Sequence, residues 1–164
     1  MNRFSWVAFV SLLVGVTGCD HATKHLAASE LGSRAVGVVP HVLELRLAHN
    51  TDTAFSLLGN SMSPHARWLL LSVLATLVTL GALVFIVRRW KELPPLTRLG
   101  GALVIGGGLG NVYDRLFTGH VIDFIHVEHW PIFNVADIAV TLGVLVLVWS
   151  WNHQPAPPAS PAEP

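Results

Sequence analysis

A single cysteine among 164 residues, Cys19, excludes an intramolecular disulfide and any cysteine-rich zinc site. Charge is scarce: Asp, Glu, Lys and Arg make up 12% of the chain, about half the share of a soluble domain. Acidic and basic residues balance at ten each, so no excess of positive charge favours a nucleic-acid partner. No internal repeat and no domain-like linker interrupts the sequence, which fits one compact unit over residues 1–153. The segment 154–164, rich in proline and alanine, is expected to be disordered because it has nothing to bury. Apolar residues are what the chain has in quantity. They reach 52% and gather in blocks instead of recurring at the intervals of a soluble core.

A hydrocarbon layer about 30 Å thick is crossed by roughly 20 apolar residues in a helix. Residues 68–87 contain no charge and are bracketed by Arg67 and by Arg88 and Arg89. Residues 132–151 are apolar apart from Asn134, Asp137 and small hydroxyl residues. A shorter span over 99–113 carries Gly100, Gly101, Gly106, Gly107, Gly108 and Gly110. In lipid such glycines let helices approach closely, which places this span in the bundle interior. The shortest span, 4–19, is followed at once by Asp20. The expected class is therefore an all-α polytopic membrane protein with four transmembrane helices, at about 4–19, 68–87, 99–113 and 132–151.

The loop after the second span holds Arg88, Arg89, Lys91 and Arg98, and such a basic cluster stays on the cytoplasmic side. Both termini are then cytoplasmic, and residues 20–67 and 114–131 lie outside. Within the first outer segment, residues 42–47 alternate apolar and charged side chains with period two. That pattern predicts a small extracytoplasmic β-sheet between the first and second spans, resting on the bilayer and covering an opening between helices.

Ionisable residues beside apolar spans are costly and call for a reason. Asp137 lies within the last span, and Asp123 is bracketed by apolar residues just beyond the third. Asn111 and Arg115 share a helical face at i,i+4, and Asn134 and Asp137 share one at i,i+3. Both groups meet at one interface, because a short outer loop joins the two spans. Two neighbouring carboxyls there can share one proton, the ionised member activating water and the protonated member donating to the developing oxyanion. No metal or cofactor is needed. Each acid also has a plainer explanation: an interfacial Asp114–Arg115 ion pair, an ordinary loop acid at 123, or a helix–helix hydrogen bond from Asp137.

The run from Gly106 to Arg115, ending Asn111-Val-Tyr-Asp-Arg115, then Val121-Ile-Asp123-Phe and Phe133-Asn-Val-Ala-Asp137, resembles the signature of the lipoprotein signal peptidase (signal peptidase II) family. Asp20-His-Ala-Thr-Lys24 and Asn50-Thr-Asp-Thr-Ala-Phe-Ser56 resemble two further motifs of that family, in the same order. The resemblance implies an aspartyl endopeptidase of the bacterial inner membrane, with its site near the outer face; a monomer is expected. Its substrates would be diacylglyceryl-modified prolipoproteins, cut just before the lipidated cysteine, with membrane lipid as the other partner. By motif position Asp123 and Asp137 match the catalytic pair, and Asp114 matches a non-catalytic acid. Asn50, Asn111, Arg115 and Asn134 match positions that hold substrate backbone or orient the pair. Asp20 and Lys24 match a structural or substrate-facing motif. Asp52 departs from the glycine usual in the family.

Three rivals stand beside that assignment. Arg3, an apolar run and Val16-Thr-Gly-Cys19 also read as the lipobox of an exported lipoprotein, although three later spans argue against it. A small transporter or channel could use Asp137 and Arg115, but no inverted repeat is visible. His126-Val-Glu-His129 suggests a metal site without the His-Glu-x-x-His spacing of zinc peptidases.

Overall fold

The computed structural model describes residues 5–51 and 63–153. Among them run four helices, α1 (Trp6–Glu30), α2 (Pro64–Arg88), α3 (Pro95–Phe117) and α4 (Val135–Asn152), and three strands, β1 (Ala35–Val39), β2 (Leu43–Asn50) and β3 (Val121–Val127). The expected disorder of residues 154–164, and Asp52 with most of its motif, lie outside the described residues.

α1, α2 and α4 are long and apolar enough to cross a membrane. Their outward faces are unpartnered hydrocarbon: Leu77 and Val78 on α2, and Leu145 and Val148 on α4, are exposed. Water would penalise such faces; lipid does not. α3 differs in composition because it lies at the centre, against each of the other three helices. Gly106 and Gly110 face Val16 and Asp20 of α1, Gly101 and Gly108 face Ile86 and Thr79 of α2, and Gly100 and Gly107 face α4. The contact with α4 is backbone on backbone. A Cβ on Gly100 would stand 2.9 Å from the Gly143 carbonyl oxygen, and one on Gly143 would stand 2.8 Å from that of Gly100.

Helix ends follow local chemistry. Ser63 caps α2 through its side chain, and Pro64 occupies a first-turn position, where its missing N–H costs nothing. α1 departs from the expected end at Cys19 and continues to Glu30. Asp20 and Lys24, one turn apart, point inward and are each 1% exposed, so the charges that end the apolar run extend the helix instead of stopping it.

The three strands form one antiparallel sheet in the order β1-β2-β3. The sheet is therefore not confined to the segment between the first two helices. Its third strand comes from the α3–α4 connection, where Val121-Ile-Asp-Phe-Ile-His-Val supplies β-branched and aromatic residues. The register sets Ala48 opposite Asp123 and Asn50 opposite Val121, which puts Asn50 and Asp123 on one face as diagonal neighbours.

Candidate active site

Chain direction puts the starts of α2 and α4, the ends of α1 and α3, and the sheet at the same end of the bundle. Asp123 arrives there on β3, not in a loop. The Phe133 backbone is pinned to β3: its N–H donates to the Ile125 carbonyl at 3.0 Å, and its carbonyl accepts from Phe124 and Ile125 at 3.0 and 2.9 Å. This pairing delivers the next residue, Asn134, beside Asp123.

Asn134 is the N-cap of α4, and Asp137 completes a reciprocal capping box. The Asp137 N–H donates to Asn134 Oδ1 at 3.0 Å, and the Asn134 N–H donates to Asp137 Oδ2 at 3.2 Å. The other end of the same amide reaches the second acid, Asn134 Nδ2 donating to Asp123 Oδ1 at 2.7 Å. Two carboxyls, one from β3 and one from the first turn of α4, thus converge on a fully buried asparagine. Asn50 Nδ2 donates to Asp123 Oδ2 at 2.8 Å, and Asn111 Nδ2 donates to Asp137 Oδ1 at 2.8 Å.

The acids have different surroundings. Asp123 is 2% exposed. Burial pushes its carboxyl up to about 6, with the nearby Asp137 charge adding to the rise and Asn50, Asn134 and Lys24 opposing it. Asp137 is half-buried and lies at an apolar cavity of about 270 Å³ lined by Trp130, Phe133, Ile138, Thr141 and Leu142. One member is sequestered, the other accessible.

Lys24 Nζ lies 2.7 Å from Asp20, 2.9 Å from Asp114 and 3.0 Å from Asn111 Oδ1. Asp114 therefore pairs with Lys24 and not, as the neighbouring charges suggested, with Arg115. Arg115 Nη1 donates instead to the Asn111 carbonyl at 3.2 Å, within electrostatic reach of Asp137, Asp123 and Asp114. Asp20 and Lys24 are both buried here. All eight residues singled out in the sequence come together here, and Asp114 joins them as a connecting group. The His126–His129 pair does not: His126 Nδ1 is 2.9 Å from Glu44, and no cluster of three potential metal ligands occurs among the described residues.

An apolar helical bundle bearing two aspartates joined through a buried asparagine defines a class, the multi-pass membrane protein with a paired-carboxylate site. The model of the signal peptidase (SPase) II family matches residues 12–152, and the chain belongs to that family. It is 38% identical over 154 residues to the lipoprotein signal peptidase of Pseudomonas aeruginosa, covering 90% of this chain and 89% of that one. It is 44% identical over 151 residues to the lipoprotein signal peptidase of Parasynechococcus marenigrum, covering 87% and 90% respectively. Two solved structures of bacterial membrane enzymes share the fold. Their TM-scores are 0.75 and 0.76, at 24% and 22% identity, over 94% and 93% of this chain and 96% and 97% of theirs.

Proposed function

We propose that the protein is an aspartyl endopeptidase that removes signal peptides from diacylglyceryl-modified prolipoproteins, cutting before the lipidated cysteine. The observation that carries the mechanism is the bridging of Asp123 and Asp137 by Asn134. Family membership favours this chemistry over transport. Asp137, open to the cavity, takes a proton from water as the water oxygen adds to the scissile carbonyl. Asp123, whose carboxyl burial raises to about 6, donates from its protonated form to the developing oxyanion. As the intermediate collapses, the proton held by Asp137 passes to the departing amine, and Asp123 takes back a hydroxyl proton as the new carbonyl forms. Asn111 Nδ2 and the Asn134 N–H, both aimed at Asp137, fix its carboxylate for the task.

The four helices are assigned as four spans. α3, with 23 residues, reaches about 35 Å, enough to cross hydrocarbon despite its glycines. Trp6 stacks on Trp90 with ring centroids 4.0 Å apart, and Arg98 lies over Trp90 at 4.6 Å. Aromatic and basic residues at that end favour the cytoplasmic interface, which leaves the aspartates and the sheet outside. Acyl chains can then stay in lipid while the peptide bond reaches water and the carboxyls.

The test is a cleavage assay on purified protein with one precursor in two forms, with and without diacylglycerol. Cleavage of the lipidated form alone is expected. Equal cleavage of both forms refutes the substrate assignment, and cleavage of neither refutes the activity.

A pH series tests the protonation scheme. Asp123 must carry its proton, and its free carboxyl titrates near 6, so kcat/KM should fall as pH rises through that value. Asn50 stabilises the ionised form of Asp123, so Asn50→Ala should move this alkaline limb to higher pH, whatever it does to the absolute rate. A limb that stays put in the variant, or moves to lower pH, contradicts the scheme.

A further inference from the structure

Asp20 and Asp114 lie far apart in sequence, yet each carboxylate does the same thing. Asp20 Oδ1 accepts the Ala136 N–H at 2.9 Å, and Asp114 Oδ2 accepts the Ile122 N–H at 3.1 Å. Ala136 immediately precedes Asp137, and Ile122 immediately precedes Asp123. Both carboxylates converge on one ammonium, Lys24 Nζ, at 2.7 and 2.9 Å. The same nitrogen donates to Asn111 Oδ1 at 3.0 Å. That bond settles which way the Asn111 amide faces, leaving Nδ2 to donate to Asp137.

We infer that Lys24, with Asp20 and Asp114 as its two arms, is a positioning device that sets the separation of the Asp123 and Asp137 backbones. The inference rests on the peptidase assignment. A buried ion cluster is a poor source of net stability, because desolvation offsets most of the attraction, so stability alone does not account for it. The geometry supplies a reason. α1 and α3 hold the two aspartates, β3 and α4 hold the two catalytic groups, and one cation ties all four elements together. Gly110 makes room for the arrangement, since a Cβ there would collide with Asp20.

The two arms differ in a way that can be measured. Asp114 uses a single oxygen, Oδ2, for both Lys24 and Ile122, whereas Asp20 uses Oδ2 for Lys24 and Oδ1 for Ala136. An asparagine at 114 can keep its one oxygen toward both donors. At 20 its NH2 must face either the ammonium or the Ala136 N–H, which leaves a buried donor unpaired. Both substitutions preserve volume and remove one negative charge, so packing and net charge are matched.

The experiment compares Asp20→Asn and Asp114→Asn in purified full-length protein, on lipidated precursor, with rates normalised to folded protein. Asp114→Asn should lower kcat about threefold and Asp20→Asn about thirtyfold or more, with KM within about twofold of the parent in both, as for a displaced reacting group. A purely structural role would lower the melting temperature and the folded fraction and leave kcat per folded molecule alone. Equal kcat losses, the reverse order, or a change confined to KM would overturn the inference. Failure of the peptidase assignment looks different, since the parent protein itself would then not cut.

Discussion

Asp123→Asn and Asp137→Asn should each remove cleavage of lipidated precursor, lowering kcat by about a thousandfold or more while the protein stays folded in the membrane. Each replaces a group that must gain or lose a proton with an amide that does neither, and the partner acid cannot serve as both acid and base. The variants part company in stability. Asp123 titrates near 6 when folded against an ordinary value of 3.8, so its ionisation costs the native state stability as pH rises from about 4 to about 6. The shift corresponds to at most about 3 kcal/mol at neutral pH. Asparagine carries no such cost, and its NH2 can stand in for Oδ2 if the Asn50 amide turns over, while its oxygen still accepts from Asn134. Asp123→Asn should therefore melt no lower than the parent at neutral pH, and any advantage should vanish near pH 4, where the parent is protonated as well. Asp137→Asn disturbs the capping box, because an amide NH2 at Oδ2 would face the Asn134 N–H. Substantial cleavage by either variant would refute the paired-acid mechanism.

The second large effect is expected at Gly107. A Cβ there would collide with the carbonyl oxygen of Ala136 and stand 2.9 Å from Val140 Cγ2. The first obstacle is backbone, in the residue preceding Asp137, and cannot rotate away. Gly107→Val must push α3 and α4 apart at the site itself, at a cost of roughly 3 kcal/mol or more. Loss of folded protein in detergent, or a much lower melting temperature together with loss of cleavage, is the expected outcome. Gly108→Ala is the control. Its Cβ would meet Thr79 Oγ1 at 2.5 Å, a side-chain atom that a rotamer change can remove, so its penalty should be clearly smaller. Equal melting temperatures for Gly107→Val and the parent would show that the close approach of α3 and α4 is not a requirement.

Much of the bundle was legible in the sequence because lipid imposes a coarse rule, an uninterrupted apolar length, and residues 68–87 and 132–151 satisfy it. The glycines of α3 were legible too: their crowding in one span signals close neighbours, and each of six faces one of the other helices. Where the rule misled, charge was the cause. Asp20 ends the apolar run of α1, but its partner Lys24 lies one turn further along the same buried face, so the helix goes on to Glu30. β3 escaped notice because its residues are buried or half-buried on both faces, which erases the alternation that betrayed residues 42–47. Its β-branched content between Gly119 and Pro131 was the available signal. Motif resemblance named the eight site residues. Only the fold shows that Asn134 serves both acids, or that Asp114 pairs with a lysine on α1.

The length of α1 has a consequence for the chain itself. Val16-Thr-Gly-Cys19 is the kind of sequence that, in an exported precursor, marks the place to cut. Here it sits in the middle of a continuous helix, and the Cys19 carbonyl takes an additional bond from Thr23 Oγ1 at 2.8 Å. The Gly18–Cys19 peptide unit already spends its polar groups along the helix axis and cannot be offered to a protease as extended chain without unwinding several turns. Under the proposed function, the chain carries a likeness of its substrate's label, wound into a helix.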